Sequence, residues 1–487
     1  MLFTDPVFIF KFLPLVLLGF MVTLAAGSRL HRHILLIAAS LVFYSWFKAE
    51  YLFLLIGSMV FNYIVAAAIL KQPRTKAAKR LLIGGIIANL SLLGVYKYLG
   101  FFALNLNAIF AIGLPDPKLL LPLAISFFTF QQISYLCDAY SGKIKPSAHN
   151  KLDYAIFVTF FPQLIAGPIV HHSEMMPQFR NAPAPSVRTK MFCEGLLLFA
   201  LGLFKKLVIA DAIAPHSDMV FAAVDAGQTV DMWTAWTGAL AYTFQIYFDF
   251  SGYSDMAIGL GLLFGIRLPW NFNSPYKALN SSDFWRRWHM TLSRWLRDYL
   301  YIPLGGNRKG TARQYANNFT TMVLGGLWHG AHWNFVIWGV LHGLYLITNQ
   351  VFRAGARRLN GLGFVEQDTR FRLFSWGLMF LATVIAWVFF RATTSSGAIS
   401  MIQSMLLGGE GIQIIMSSTT FLVMVFAALI AFLAPNTKQI SEAFNQLGAI
   451  LKFLITAAYG VFAGIAGAAA YLGGQSLTQS PFLYFNF

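Results

Sequence analysis

The sequence predicts an all-α membrane protein that crosses the bilayer many times. Of its 487 residues, 57% are hydrophobic and only 11% are charged, whereas about 25% of the residues in a typical soluble domain are charged. Apolar stretches of the length that crosses a bilayer as a helix recur along the whole chain. No polar linker divides them. We therefore expect a single membrane domain over residues 1–487.

The candidate spans share a high apolar content and a length near that of one membrane crossing. They lie at residues 8–26, 34–47, 50–70, 81–99, 118–138, 152–169, 192–214, 232–248, 253–266, 317–328, 332–351, 373–391, 418–435 and 449–472. Several are short or contain Gly and Pro, which is typical of tilted or re-entrant helices that neighbouring helices bury. We expect about 11 to 13 crossings, together with re-entrant and interfacial helices.

The formal net charge of +17 is concentrated in three short segments. Residues 71–80, 284–313 and 353–372 contain seventeen basic and three acidic side chains, and thus fourteen of the seventeen net positive charges. Short loops rich in Lys and Arg mark the cytoplasmic side of a membrane protein. We expect all three segments to face the cytoplasm. Nucleic acid is not an expected partner, because no soluble module or stacking platform accompanies the charge.

The segment 283–300 predicts an amphipathic helix at the membrane surface. Aromatic and Leu side chains recur at three- and four-residue spacing, and Arg side chains, including Arg287 and Arg294, occupy the opposite face. Asp283 is a plausible N-cap. His289 falls on the apolar face, where an imidazole is either a hydrogen-bonded core residue or part of a site.

The segment 324–343 places three histidines, His329, His332 and His342, in a strongly apolar stretch. Ionisable side chains at membrane depth usually face a cavity or a pathway. His329 is flanked by glycines that remove side-chain bulk, and imidazole suits proton transfer near neutral pH. His329 is therefore the main candidate. On a continuous helix His332 would share its face and support it by a hydrogen bond, whereas His342 is expected to be structural.

A metal site is not expected. His289, His329 and His332 could supply three nitrogens, but helical zinc sites of hydrolases space two histidines at i and i+4 with a Glu between them. This sequence has a spacing of i and i+3 and no Glu nearby.

The segment 245–276 contains two carboxylates, Asp249 and Asp255, in apolar helices that we expect to break at Ser251–Gly252. Buried carboxylates need partners. Ion binding, substrate positioning and hydrogen bonding between helices all fit these residues. Asn271, which lies between two prolines together with Asn273, predicts a re-entrant turn near the interface.

Three stretches together resemble membrane-bound O-acyltransferases, and more closely the bacterial alginate O-acetyltransferase branch of that family. They are YFDFSGYSDMAIGLGLLFG, FWRRWHMTLSRWLRDYLYIPLGGNRKG and MVLGGLWHGAHWNFVIWG. The segments LFTDPVFIFKFLPLVLLG, FPQLIAGPI and SPFLYFNF resemble the same branch. The likeness thus covers essentially the whole chain, with its motif core at residues 240–345.

The resemblance implies an acyltransferase built around a central channel, in which cytoplasmic and external funnels meet at a histidine. It places the family's catalytic histidine on His329, in the run Leu327–Gly330, and the second characteristic polar residue on His289. Relatives commonly carry a smaller or uncharged residue at the position of His332. The implied acetyl donor is acetyl-CoA, as a substrate; no bound cofactor is expected.

The resemblance also implies a periplasmic partner. In the alginate-type branch the acceptor is an SGNH-type acetyltransferase with a Ser-His-Asp site, which esterifies sugar hydroxyls of an exopolysaccharide. We therefore expect a multi-pass protein of the bacterial inner membrane, in contact with the lipid bilayer and this partner. Alternatives are O-acetylation of peptidoglycan or cellulose, D-alanyl transfer to teichoic acid and, from another class, an ion-coupled transporter that uses Asp249 and Asp255.

The resemblance and the residue chemistry assign the same roles. His329 would act as general base on the incoming hydroxyl, and His289 would orient His329 or a substrate oxygen. The residues expected to line the channel or contact substrate are His332, Trp328, Asp249, Asp255, Asn271, Arg287 and Arg294.

Overall fold

The computed structural model describes residues 1–115, 117–358, 368–448, 451–452, 454–458 and 483. Across these residues helices form the whole of the regular structure, and one isolated β-bridge joins Val230 to Ile412. The all-α class that the sequence predicts is confirmed. The predicted span at 449–472 lies mostly outside the described residues.

The first of two compact units comprises residues 1–203 and 253–269, with the segment that starts at Ser441. A short π-helix at Phe8–Phe12 precedes its first α-helix. Its α-helices are α1 (Leu13–Ala25), α2 (Arg29–Ser45), α3 (Tyr51–Lys71), α4 (Lys76–Leu93), α5 (Leu99–Phe110), α6 (Ile125–Tyr140), α7 (Lys151–Thr159), α8 (Phe161–Leu164), α9 (His172–Arg180) and α10 (Pro185–Leu203).

The second unit comprises residues 204–252 and 270–440. It begins with a π-helical segment, Phe204–Ala210. Its further helices are α11 (Asp211–Asp225), α12 (Met232–Leu263, counted in the first unit from Tyr253 on), α13 (Ser281–Trp285), α14 (Met290–Leu296), α15 (Thr311–His329), α16 (Trp333–Arg358), α17 (Thr369–Arg391), α18 (Ser395–Leu407), α19 (Ser418–Phe432) and α20 (Thr437–Gln446, counted in the first unit from Ser441 on).

Five helical stretches in the described part of the chain are long and apolar enough to cross a membrane. They are Phe8–Ala25, Tyr51–Lys71, Lys76–Phe110, Trp333–Ala356 and Thr369–Arg391. The pair α19 and α20, bent by 64°, would add a sixth if it forms one broken span. The multi-pass class is thus confirmed, whereas 11 to 13 crossings stays a prediction. Some of the other predicted spans fall on shorter helices such as α6, which has 16 residues, and the spans 232–248 and 253–266 fall mostly on the 32-residue helix α12.

Helix starts follow the local capping chemistry. Ser28 and Thr75 accept hydrogen bonds from the backbone N–H groups of His31 and Ala78, and so cap α2 and α4. Such side chains satisfy N–H groups that the first helical turn leaves without a partner. At α13 the predicted cap is wrong by three residues. Asn280 is the N-cap and accepts from the backbone N–H of Asp283 at 2.9 Å.

A polar cluster lies among α3, α4 and α6 in the first unit. The amides of Asn62 and Asn89 exchange hydrogen bonds of 3.0 and 2.7 Å, and Asn62 also donates to Gln132. All three side chains are buried. Amides that satisfy one another in an apolar setting hold helices in one register, because any slip would leave them without partners.

The predicted break of the 245–276 segment at Ser251–Gly252 is wrong. A single helix, α12, runs through both residues from Met232 to Leu263. Every residue of α12 from Thr243 to Leu263 is buried. Because protein surrounds this part on all sides, Gly252 can stay helical although its intrinsic helix propensity is low.

Helices α15 and α16 form a hairpin whose two backbones touch. A Cβ atom on Gly339 would lie 2.5 Å from the carbonyl oxygen of Met322, and one on Gly326 would lie 3.0 Å from the Cα of Gly339. A Cβ on Gly343 would meet the ring of Phe319 at 2.9 Å. The neighbours thus pair in reverse order along the two helices, which therefore run antiparallel. Close backbone approach through small residues is the usual way in which membrane helices associate.

This packing predicts that Gly339→Ala destabilises the protein by about 1–3 kcal/mol, because its methyl group has no room against Met322. The measurement is the unfolding midpoint in detergent micelles. Gly377→Ala on α17 is the matched control, since a Cβ there meets nothing within 4 Å. Alanine favours a helix by about 1 kcal/mol over glycine, so the control should be neutral or slightly more stable. Equal midpoints for the two variants would contradict the contact.

Candidate functional site

His329 is the last residue of α15 and lies at the tip of the α15–α16 hairpin. The helix ends there because Gly330 adopts an extended conformation, with φ −165° and ψ 151°. His329 is 3% exposed. The tip therefore carries a buried imidazole at the point where the chain turns back into α16.

Aromatic rings surround the imidazole of His329. The rings of Trp328, Trp338 and Phe390 pack edge-to-face against it, with centroid distances of 5.0, 5.1 and 5.1 Å. They come from α15, α16 and α17. Edge-to-face packing of this kind fixes the plane of a ring. The surroundings also exclude bulk water, which strengthens any electrostatic interaction made there.

The glycines near His329 remove side-chain bulk, as predicted, and the groups that approach them closely belong to the protein. Gly326 lies against the backbone of α16, and Gly330 against the ring of Phe335. These glycines thus allow the hairpin to close, and protein occupies the space that they free. They affect His329 indirectly, because the closed hairpin determines where its tip, and thus His329, lies.

His289 does not lie on a continuous interfacial helix, and that prediction is wrong. Helix α13 ends at Trp285, α14 begins at Met290, and His289 adopts a left-handed conformation with φ 42° and ψ 52°. A residue with a Cβ atom pays about 1–3 kcal/mol for this conformation and keeps it only where the surroundings impose it. The predicted apolar environment is confirmed, since His289 is fully buried and its ring lies 4.8 Å from that of Phe250.

Asn271 is the hydrogen-bond partner of His289. The Nδ1 atom of His289 lies 3.0 Å from Oδ1 of Asn271, which also accepts from the hydroxyl of Thr291 at 2.9 Å. The backbone carbonyl of Asn271 accepts from the N–H of Met290 at 2.9 Å. Because Oδ1 is an acceptor, Nδ1 of His289 carries the proton. The turn at Asn271 therefore sets both the position and the tautomer of His289.

Burial also determines the charge of His289. The desolvation of the imidazolium lowers the pKa of His289 to about 3. The ring is therefore neutral at every physiological pH. It can orient a neighbouring group by a hydrogen bond, but it is a poor proton acceptor.

The two histidines border one aromatic cluster. The ring of His289 contacts Phe250, which contacts Trp288. The ring centroids of Trp288 and Trp387 lie 4.8 Å apart, and those of Trp387 and Phe390 lie 5.2 Å apart. Phe390 in turn contacts His329. The structure thus brings both predicted catalytic residues, which are 40 positions apart in the chain, to the same packed group of rings. Sequence reasoning did not identify Trp387 or Phe390 as members of this cluster.

His332 does not share a helix face with His329, contrary to prediction. It lies in the break between α15 and α16, is partly exposed, and accepts a hydrogen bond from the backbone N–H of Asn334 at 3.2 Å. Asn334 is buried between Ala392 and Ser395, to which it is joined by hydrogen bonds of 2.8 and 2.6 Å. His332 therefore helps to start α16.

Asp249 lies in a buried ion pair. Its Oδ1 is 2.6 Å from Nζ of Lys206, which also contacts Asp211 at 2.8 Å. Lys206 and Asp249 are both buried. Sequence reasoning missed Lys206, although a lysine inside the predicted span 192–214 was the signal. Asp255 is buried further along α12.

The two arginines expected near substrate have different surroundings. Arg287 donates to the carboxylate of Asp283 at 3.0 Å and to the backbone carbonyl of Asn273 at 3.3 Å. It thus ties α13 to the turn that holds His289. Arg294 is partly buried on α14. Contact of either side chain with substrate stays a prediction.

The strained backbone at His289 predicts a difference between two variants. His289→Gly removes the ring and relieves the left-handed strain, whereas His289→Ala removes the ring and keeps the strain. We expect the glycine variant to be more stable than the alanine variant by about 1 kcal/mol. Unfolding midpoints in detergent measure this difference. A less stable glycine variant would show that the left-handed backbone carries no strain.

Comparison with known proteins identifies the family of the chain. Residues 140–390, just over half of the chain, match the membrane-bound O-acyltransferase family. The matched region contains α15, α16, His289 and His329.

Several relatives are similar over most or all of the chain. The peptidoglycan O-acetyltransferase of Helicobacter pylori is 42% identical over 100% of this chain and 98% of its own length. A probable alginate O-acetylase of Pseudomonas aeruginosa is 45% identical over 83% of this chain and 75% of its own. One of Pseudomonas putida is 39% identical over the full length of both chains. This multi-pass membrane protein is therefore an acyltransferase that belongs to the membrane-bound O-acyltransferase family.

Proposed function

We propose that the protein takes acetyl groups from a cytoplasmic donor and moves them across the bacterial inner membrane for O-acetylation of an extracytoplasmic polysaccharide. Alginate-type exopolysaccharide is the preferred final acceptor, with acetyl-CoA as the donor. The observation that carries the proposal is the position of His329, a buried imidazole held by three aromatic rings at the tip of the α15–α16 hairpin. Relatives named as O-acetylases over most of the chain support the acetyl group.

His329 acts as general base in this proposal. Its ring takes the proton of the acceptor hydroxyl while the oxygen attacks the carbonyl carbon of the acetyl group. The bond to the donor sulfur breaks, and the proton passes from His329 to the departing thiolate. An acetylated His329 as an intermediate is the alternative route. In both routes the apolar enclosure keeps water from competing with the acceptor.

His289 acts as a positioning residue. Its ring is neutral and its Nδ1 is hydrogen-bonded to Asn271, so it is suited to orienting His329 or a substrate oxygen. The basic segment 284–313, with Arg287 and Arg294, is proposed to face the donor on the cytoplasmic side, because a polyanionic donor is attracted to such a segment.

The proposed partner is a periplasmic acetyltransferase with a Ser-His-Asp site. It would receive the acetyl group at the outer side and pass it to sugar hydroxyls. Peptidoglycan is the second candidate for the final acceptor. The full-length similarity to a protein named as a peptidoglycan O-acetyltransferase favours it.

The role of His329 predicts that His329→Ala lowers polymer acetylation by about 10²–10⁴-fold, the usual contribution of a general base. Ester-linked acetate is measured separately in the exopolysaccharide and in the peptidoglycan of cells that produce the variant. Western blotting of the membrane fraction verifies accumulation. His31→Ala is the matched control, since His31 is an exposed histidine on α2, and it should retain full activity. A normal acetyl content with His329→Ala would exclude the assignment, and the polymer that loses acetate identifies the acceptor.

The role of His289 predicts that His289→Ala and His289→Gly lose activity to the same extent, about 10-fold or more, although their stabilities differ. The same acetate assay measures this. If the glycine variant kept wild-type activity, the imidazole would have no part in the reaction and His289 would serve only the turn.

Asn271→Asp, which keeps an acceptor for Nδ1 of His289, should retain more activity than Asn271→Ala.

A further inference from the structure

A cavity of about 790 Å³ lies beside α13, α16 and α17 in the second unit. Two hydrogen bonds dock α13 against α16: the hydroxyl of Ser281 donates to the carbonyl of Tyr345 at 2.9 Å, and the amide of Asn349 donates to Ser282 at 2.9 Å. Hydrogen-bonded contacts between helices thus border the cavity. Neither His329 nor His289 lines it.

Three arginines line this cavity. Arg286 comes from the end of α13, Arg353 from α16 and Arg372 from α17. They belong to the two basic segments, 284–313 and 353–372, that the sequence places on the cytoplasmic side. Among the described lining residues the one carboxylate is Asp283, which accepts a hydrogen bond from Arg287 at 3.0 Å and lies 3.9 Å from the guanidinium of Arg286. The cavity therefore has a net positive charge and suits an anion.

The arginines of α16 and α17 lie at one end of the cavity. The rings of Phe352 and Phe371 stack at 6.0 Å, and the hydroxyl of Tyr345 donates to the carbonyl of Ala382 at 3.2 Å. These two pairs show that α16 and α17 run antiparallel. Arg353 is the residue after Phe352 in the sequence, and Arg372 is the residue after Phe371. Tyr345 is eight residues before Arg353, which is about 12 Å along a helix.

The walls beyond the arginines are apolar and open to the outside. Phe352, Phe374 and Leu378 line the cavity and are 51%, 67% and 56% exposed. They lie on two of the helices that are long and apolar enough to cross the membrane. Large apolar side chains on such helices are stable when hydrocarbon covers them. The cavity thus combines a cationic end with an exposed apolar wall on two candidate membrane helices.

We propose that this cavity binds one anionic phospholipid of the cytoplasmic leaflet. The phosphate contacts Arg353 and Arg372 at the cationic end, Arg286 adds positive charge to the lining, and an acyl chain lies along Phe374 and Leu378. Basic pockets between membrane helices on the cytoplasmic side bind anionic headgroups in this way. A soluble polyanion would gain binding free energy from the arginines but none from the exposed apolar wall. The geometry therefore favours a lipid as the ligand.

The test compares variants of the full-length protein in detergent by native mass spectrometry with added phosphatidylglycerol. Each arginine near a lipid surface contributes about a fivefold gain in affinity. The double variant Arg286→Gln/Arg372→Gln should therefore bind phosphatidylglycerol about 25-fold more weakly. Both side chains are exposed, so the fold should tolerate the changes. Unfolding midpoints measured without added lipid should equal that of the wild type.

The matched control is Arg308→Gln/Arg370→Gln, which removes one charge from each of the same two segments at exposed positions that do not line the cavity. It should bind phosphatidylglycerol like the wild type. Equal weakening in both double variants would overturn the proposal, because it would show diffuse attraction to the basic surface. Displacement of the bound lipid by CoA would also overturn it and would assign the cavity to a soluble polyanion. Phosphatidylcholine, which has no net charge, should bind all variants equally weakly.

Discussion

The backbone contact between α15 and α16 is the constraint on which the candidate site depends. Gly326 and Gly339 let the two helices approach until one backbone touches the other. With the helices at this distance, the chain turns within three residues and leaves His329 at the tip. The same contact fixes the rotation of α16, which sets Trp338 against the imidazole. A side chain at either glycine would separate the helices and change the position and the surroundings of His329 together.

A second constraint is that a buried polar group without a partner is costly in free energy. Lys206 joins two carboxylates, and Asn62 and Asn89 satisfy each other. Removing one partner leaves the other charge or amide buried without a hydrogen-bond partner. For a charge, the cost in stability is several kcal/mol. These contacts explain why Asp249, which the sequence offers equally as an ion-binding or a structural residue, lies in an ion pair.

His289 shows how a site can depend on a strained backbone. The left-handed conformation interrupts the predicted helix and turns the imidazole toward Asn271. On a regular helix, the direction of the imidazole of His289 would be set by the helix itself. The break lets the turn at Asn271 set that angle instead, and the surrounding aromatic cluster holds the result in place.

From the amino-acid sequence alone, the class of the protein, its basic segments and His329 as the main candidate residue were predictable. These follow from composition and from local pattern, since a charge or an imidazole in an apolar run is visible without any contact. The partners of the buried polar and aromatic residues follow from the tertiary structure. Lys206 is 43 positions from Asp249, His289 is 18 from Asn271, and Phe390 is 61 from His329. Periodicity shows which face of a helix is apolar but not which neighbour packs on it. The continuous α12 and the broken helix at His289 were mispredicted for this reason, because packing outweighed local propensity at both places.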